Sequence, residues 1–152
     1  MAHVKLSISE AFVPEARATL QPERLGSLEL WAPTVAAAGE PCMLIDAEMV
    51  IVAISASACQ LLGLGSPADA TGESLVEGVL RLVDFTQART ELPDTEIDKI
   101  PPVLAISSGR LARGLLRVQS GAEGGAATVD AIATPLHDDG EVTGSLTFFC
   151  EV

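Results

Sequence analysis

Apolar positions along this chain switch between helical and strand periods, and the switches divide it into an opening arm, two strands, a helical middle and a strand-rich end. Residues 1–22 mix Ser, Pro and charged residues with scattered apolar ones, which predicts an N-terminal arm that Phe12 and Val13 could dock. From Pro22 the pattern turns helical, with Glu23 in the first turn and Leu25, Leu28 and Trp31 at three-residue spacing. Pro33 is expected to kink or interrupt this helix, because proline offers no amide hydrogen to the preceding turn. Gly39-Glu40-Pro41 ends it. Two short apolar, β-branched runs follow, Cys42 to Ile45 and Val50 to Ile54, and the link from Asp46 to Glu48 makes them a hairpin.

The middle reads as helices and loops. Ser55 can accept a hydrogen bond from the first turn of a short helix anchored by Leu61 and Leu62 and closed by Gly63. Residues 64–72 have loop composition with room for one helical turn. Leu75, Val76, Val79, Leu80, Leu82 and Val83 recur at helical spacing and predict an amphipathic helix, whereas residues 84–94 look irregular. A further helix is expected over Glu96 to Ser108, despite two prolines near its first turn, with Gly109 closing it.

From Leu111 the period becomes that of strands, over Leu111–Gln119, Ala126–Leu136 and Glu141–Val152. The last alternates Val142, Leu146, Phe148 and Cys150 against Thr143, Ser145, Thr147 and Glu151, the pattern of a strand buried on one face. Ser120 to Gly125 forms a hairpin loop and His137 to Gly140 a tight polar turn. The fold class is α+β, with helices inserted between the second and third of five strands. No internal repeat appears.

Composition removes several function classes. With 152 residues the chain has room for one compact domain. Its longest apolar runs fall far short of the roughly 20 residues a membrane helix needs. The opening Met-Ala-His-Val-Lys lacks the pattern of a signal peptide, so a cytoplasmic protein is expected. Cys42, Cys59 and Cys150 are an odd number without CxxC spacing, which fits reduced thiols in that compartment. Nine Lys plus Arg against 21 Asp plus Glu give a net charge of −12, which would repel a phosphate backbone, so nucleic acid is not an expected partner. Arg110, Arg113 and Arg117 form the one cationic cluster, either a solvated face or a stripe that meets an acidic partner. Seven Arg against two Lys, with abundant Ala and Gly, suggest a GC-rich bacterial genome.

Several segments resemble the PAS family. Asp46 to Val52 is similar to its opening hairpin, Ser55 to Gly63 to its first helix, and Thr71 to Leu75 to the Gly that precedes the next helix. Thr134-Pro135-Leu136 followed by Asp138-Asp139-Gly140-Glu141-Val142-Thr143-Gly144 resembles its closing hairpin. Ser55 stands where the family often has Asn, and the chain reads Cys150-Glu151-Val152 where members often read Asp-Ile-Thr. The resemblance covers about residues 40–152 and is identified here with an actinobacterial type of PAS domain. It implies a five-stranded antiparallel sheet over 40–152, preceded by an N-terminal arm and helix over 1–39.

No catalytic constellation emerges. His3 and His137 lie in a predicted arm and turn, and surface positions suit both better than catalysis. Asp94, Glu96 and Asp98 imitate a calcium loop, but Lys99 and Ala105 stand where its Gly and bidentate Glu belong, so no metal site is expected. Gly63, Gly65 and Ala68 fit a dinucleotide pattern with a helix instead of a strand before it. The reactive-Cys motif of flavin-photosensing relatives is absent, and residues 94–109 hold no His for a haem, so no cofactor is expected.

What remains is a sensing or interaction module. An inner cavity lined by Leu80, Leu104, Leu115, Ile132, Leu146 and Phe148 would take a small apolar ligand and signal to a protein partner, unless these side chains simply fill one another's space. The alternative is a cofactor-free homodimer using Leu25, Leu28 and Trp31, a segment the family often employs in this way. A small enzyme with an apolar cavity is the third possibility, without a catalytic pair to support it.

Overall fold

The computed structural model describes residues 25–86, 88–120 and 125–152. The expected arm residues 1–22, with Phe12, Val13 and His3, and the loop tip 121–124 lie outside the described residues.

The expected helix at the start is present as α1, Ser27–Ala37. It begins later than the sequence pattern suggested and runs through Pro33 instead of stopping there. Pro33 and Glu29 are both exposed, so the Glu29 carbonyl left without its helical partner faces water. The helix has no side-chain cap of its own at Gly26. Its first amide is instead met from the far end of the chain, where Asp138 accepts from the Ser27 N–H at 3.0 and 3.1 Å.

The hairpin β1 (Cys42–Asp46) and β2 (Ile51–Ile54) follows as expected. The Asp46 carboxylate accepts from the amides of Glu48 and Val50 and fixes the turn. Ser55 then ties three segments together. Its Oγ accepts from the Ala58 amide at 3.3 Å as the cap of α2 (Ala56–Leu62), accepts from the Cys42 amide at 3.0 Å and donates to the Glu40 carbonyl at 2.8 Å. A serine therefore pins this helix start, with Gly63 ending the helix at φ 70°. The single helical turn expected in the next loop is α3, Pro67–Ala70.

Two expected helices are cut short. The apolar stretch from Leu75 gives only a π-helical turn over Leu75–Val79, and Leu80 is already extended. Residues 81–83 run alongside a strand instead of continuing a helix, because β3 offers its edge there. The helix expected over Glu96–Ser108 is two pieces, α4 (Asp94–Ile97) and α5 (Pro101–Ser108). Ile100 between them has ψ 148°, the extended conformation that a following proline enforces. Gly109 closes α5 at φ 69°.

Strands β3 (Ala112–Ser120), β4 (Gly125–Asp138) and β5 (Glu141–Glu151) complete one sheet of order β2-β1-β5-β4-β3, all pairs antiparallel. The β4–β5 turn is only Asp139-Gly140, at φ 52° and 82°, the doubly positive pair that a two-residue hairpin turn requires. The first and last parts of the chain thus meet in the sheet centre, where Met43 faces Thr147 and Leu44 faces Leu146.

The two sheet faces have different cores. On the inner face Met43, Ile45, Ile54, Leu116, Val118, Val129, Ala131 and Phe149 pack with the inserted segments through Cys59, Leu62, Leu75, Ile100 and Val103. On the outer face α1 lays Leu28, Ala32 and Val35 over Cys42, Leu44, Ala53, Leu136 and Leu146. Gly144 makes this possible: a Cβ there would overlap the Ile45 carbonyl oxygen and come 2.8 Å from Leu28 Cδ2.

Candidate ligand cleft and interaction face

The end of the expected helix, residues 81–83, and the irregular stretch that follows it build the inner rim. Val83 donates its amide to Arg117 O at 2.9 Å and Gln119 donates to Arg81 O at 2.9 Å, so residues 81–83 extend the sheet at the β3 edge. The chain then folds back, with Leu92 N–H on Leu82 O at 3.0 Å and Asp84 N–H on Thr90 O at 2.9 Å. At the tip the Thr86 hydroxyl and amide donate to Asp84, whose carboxyl is held below the usual carboxylate range chiefly by that hydroxyl. Arg117 Nη1 donates to the carbonyls of Thr86 at 3.0 Å and Asp84 at 3.3 Å and straps the tip to β3.

Two clefts flank this seam. One of about 240 Å³ lies between it, α4–α5 and β3, with Leu82, Leu92, Ile100, Pro101 and Leu116 as apolar walls. Phe85, Arg117 and the exposed Glu96–Lys99 pair, 3.3 Å apart, also border it. The other, about 330 Å³, shares Leu82, Val83 and Leu92 with it and adds Val76, Leu80, Ile97 and Gln119. A ligand in either space would touch the same seam.

The candidates named for an inner cavity do not come together. Leu80 lines the second cleft, and Leu115 borders the first. Leu104, on α5, is 39% exposed and lines neither. Leu146, Phe148 and Ile132 belong to the outer face: Ile132 pairs with Phe148 and Leu146 with Leu44, and each alternates with the inner residues Ala131, Thr147 and Phe149. The expected cavity is corrected on this point, because a period of two sends neighbours in a strand to opposite faces. The cleft residues Leu82, Phe85 and Leu92 are not among those candidates: the spacing around Leu82 points to a helix, and Phe85 and Leu92 stand in a stretch without a period.

Among the described residues, α1 alone packs on the outer face. Leu115, Ile132 and Phe148 are 53%, 36% and 47% exposed, beside the exposed Cys150. Arg113 and Asp130 make a two-pronged ion pair at 2.6 and 3.2 Å on the same face, which holds the Asp130 carboxyl below its ordinary range. Of the helical trio, Leu28 is spent on the sheet, whereas Leu25 and Trp31 are exposed at 51% and 42%.

No family model and no curated protein matches the sequence. Solved structures match the fold. The chain is similar to the PAS domain of a Colwellia psychrerythraea protein at 15% identity and TM-score 0.56, over 82% of this chain and 96% of that one. The chain has a PAS fold. A Vibrio cholerae VqmA structure, described as a dimer in the absence of target DNA, matches at 18% identity and TM-score 0.56, over 85% of this chain. The chain spans about half of that VqmA chain, 52% of its length. A light-oxygen-voltage domain studied with a flavin analogue matches at 16% identity and TM-score 0.56, over 79% of this chain and 82% of that one.

Within this PAS fold, Cys59 is buried on α2 among the core side chains, and burial pushes its thiol pKa up, with Asp69 adding to the shift. Burial likewise raises Cys42, in spite of a hydrogen bond with Ser55. Neither thiol is built as a nucleophile. Among the described residues no cluster of His, Cys, Asp or Glu is placed to hold a metal ion. No described helix is long and apolar enough to cross a membrane. His137 is exposed on β4 and lines neither cleft. Thr147 Oγ1, buried under the inserted segments, has no hydrogen-bond partner among the described residues.

Proposed function

We propose that this chain is a sensory or regulatory domain of the PAS type that takes a small, largely apolar molecule against the Leu82–Leu92 seam and signals through protein contacts, without catalysis. The observation that supports the reading is the pair of clefts sharing Leu82, Val83 and Leu92, residues of a rim fastened to β3 by backbone pairs and by Arg117. A volume of about 240 Å³ equals that of roughly eight liquid waters, which suits a compact ligand. Occupancy would bias the rim between strapped and released states, and hence the β3 edge that a partner would meet.

The test is native mass spectrometry of the full chain purified from cell extract, beside Gly114→Leu. Gly114 lies 3.5 Å by its absent Cβ from Pro101 across the first cleft, so a leucine there fills the space. A retained small molecule in the unaltered chain, lost in the variant, supports the reading; a chain that carries nothing in either form contradicts it. A second reading, an empty homodimer joined through α1, is favoured by the outward Leu25 and Trp31 and by the dimeric state named for VqmA. An unliganded dimer that Trp31→Ala converts to a monomer would support that alternative.

A further inference from the structure

We infer that the open edge of β3 at Arg113 and Leu115 takes up an extended segment of a partner protein as an added strand, with one apolar residue of that segment in the first cleft and acidic residues flanking it. The inference names the partner of the proposed reading and rests on it only in that signalling runs through protein contacts.

Backbone direction alternates along β3. The Arg117 carbonyl and the Gln119 N–H meet residues 83 and 81, so the odd-numbered residues of β3 turn their backbone groups away from β4. With a period of two, Arg113 and Leu115 face the same way. Among the described residues no hydrogen bond meets the N–H or the carbonyl of either. The seam leaves β3 after Val83, because Asp84 turns back toward Thr90, and residues 112–116 keep an unpaired edge. Such an edge is a template for another strand.

The surroundings of this edge select the occupant. A segment antiparallel to β3 exchanges two hydrogen bonds with Leu115 and two with Arg113, and its residue between them stands opposite Gly114. That residue points to the inner face, where Gly114 has no side chain and the first cleft opens beside Ile100, Pro101 and Leu116. An apolar side chain fits there. Arg110 and Arg117 stand beyond the two ends of the open edge, and neither makes an ion pair among the described residues. Acidic residues one step out on either side of the segment meet them. A second copy fits worse: in a two-fold edge-to-edge pairing centred on Gly114, the 81–92 hairpin of each copy stands where residues 109–111 of the other must pass.

Amide hydrogen exchange of the full chain, with and without a peptide pool, tests this. The pool is acetyl-Glu-Thr-Leu-Thr-Glu-amide and its relatives with Val, Ile, Met or Phe in the central place. In the free chain the amides of Arg113 and Leu115 should exchange fast, while those of Gly114 and Leu116, paired with β4, stay protected. The pool should slow Arg113 and Leu115. N-methylation of the peptide's first threonine, opposite Leu115, should weaken binding by about tenfold in fluorescence anisotropy, the loss expected from one hydrogen bond. Leu115→Pro, which removes an N–H that β4 does not use, should do the same. Arg110→Glu should weaken binding too, and less so at high salt. Slow exchange at Leu115 in the free chain would overturn the inference by showing the edge already covered, in favour of a second copy where the protection falls on dilution. Equal binding by the N-methylated peptide would also overturn it. Fast exchange that the pool leaves unchanged would overturn it as well, and a small molecule retained in native mass spectrometry would then leave the ligand reading standing without it.

Discussion

Asp138, on the β4–β5 hairpin, caps α1 by holding Ser27, a residue 111 positions earlier in the chain. Its carboxylate accepts the Ser27 amide, and the Ser27 hydroxyl lies 2.8 Å from Asp138 Oδ1 and 3.0 Å from the His137 carbonyl. Thr143 Oγ1 donates to the same carboxylate at 3.0 Å. An acidic group at a helix start also meets the positive end of the helix dipole. Whatever α1 does on the outer face is therefore conditioned by one carboxylate at the other end of the sequence.

The Asp138 carboxyl is held below its ordinary pKa, first by the Ser27 hydroxyl and then by the Ser27 amide and Thr143. A depressed folded pKa means that this anchorage is fully present above the ordinary aspartate value and is lost as pH falls through the lower, folded one. Trp31, the sole tryptophan, sits on α1 and reports the event. Its fluorescence should stay constant down through the ordinary aspartate range and change below it. Asp138→Ala should show the acid-form emission already at neutral pH; identical traces for the two proteins would show that α1 does not depend on Asp138.

Gly144 is required by close approach, not by its torsion angles. Gly144→Ala forces both β1 and Leu28 to move, and overpacking of this kind costs about 1–3 kcal/mol. Denaturant unfolding should show that loss. Combining it with Leu28→Ala should recover only the side-chain share, because the Ile45 carbonyl remains in the way.

Thr147 should respond in the opposite direction. Its hydroxyl is buried between Met43 and Ala133 without a partner among the described residues, so the isosteric Thr147→Val removes an unmet polar group. A gain of about 1 kcal/mol in unfolding free energy is expected. A loss of similar size would mean that the hydroxyl is hydrogen-bonded in solution.

The cysteines should divide by accessibility. In the native state a thiol reagent should titrate Cys150 alone, whereas Cys42 and Cys59, buried and pushed to higher pKa, should react only on unfolding. Two or three fast thiols would contradict the packing around α2 and β1.

Elements with local punctuation were legible in the sequence. Ser55 and Gly63 bracket α2, Asp139-Gly140 makes its hairpin, and two strand runs before the helices with three after match the antiparallel sheet that the family resemblance implies. Segments decided by tertiary partners were not. The stretch Leu80 to Val83 has helical spacing yet is drawn to the open β3 edge, and Pro101 splits a helix whose apolar period continues across it. The cavity was misread for a related reason. Leu146 and Phe148 look like the buried stripe of β5 and Thr147 like the wet one, but Phe149 and α1 between them make both faces partly dry, so polarity could not orient the strand.

Which side of the sheet each residue of β5 faces decides how the two cores divide, and nuclear Overhauser contacts in the full chain read this directly. The expected result is Phe148 ring contacts to Ile132 and Leu146 contacts to Leu44, with Phe149 touching the inserted segments. Contacts from the Phe148 ring to Ile100 or Val103 would contradict it, since they would put the outer face inside.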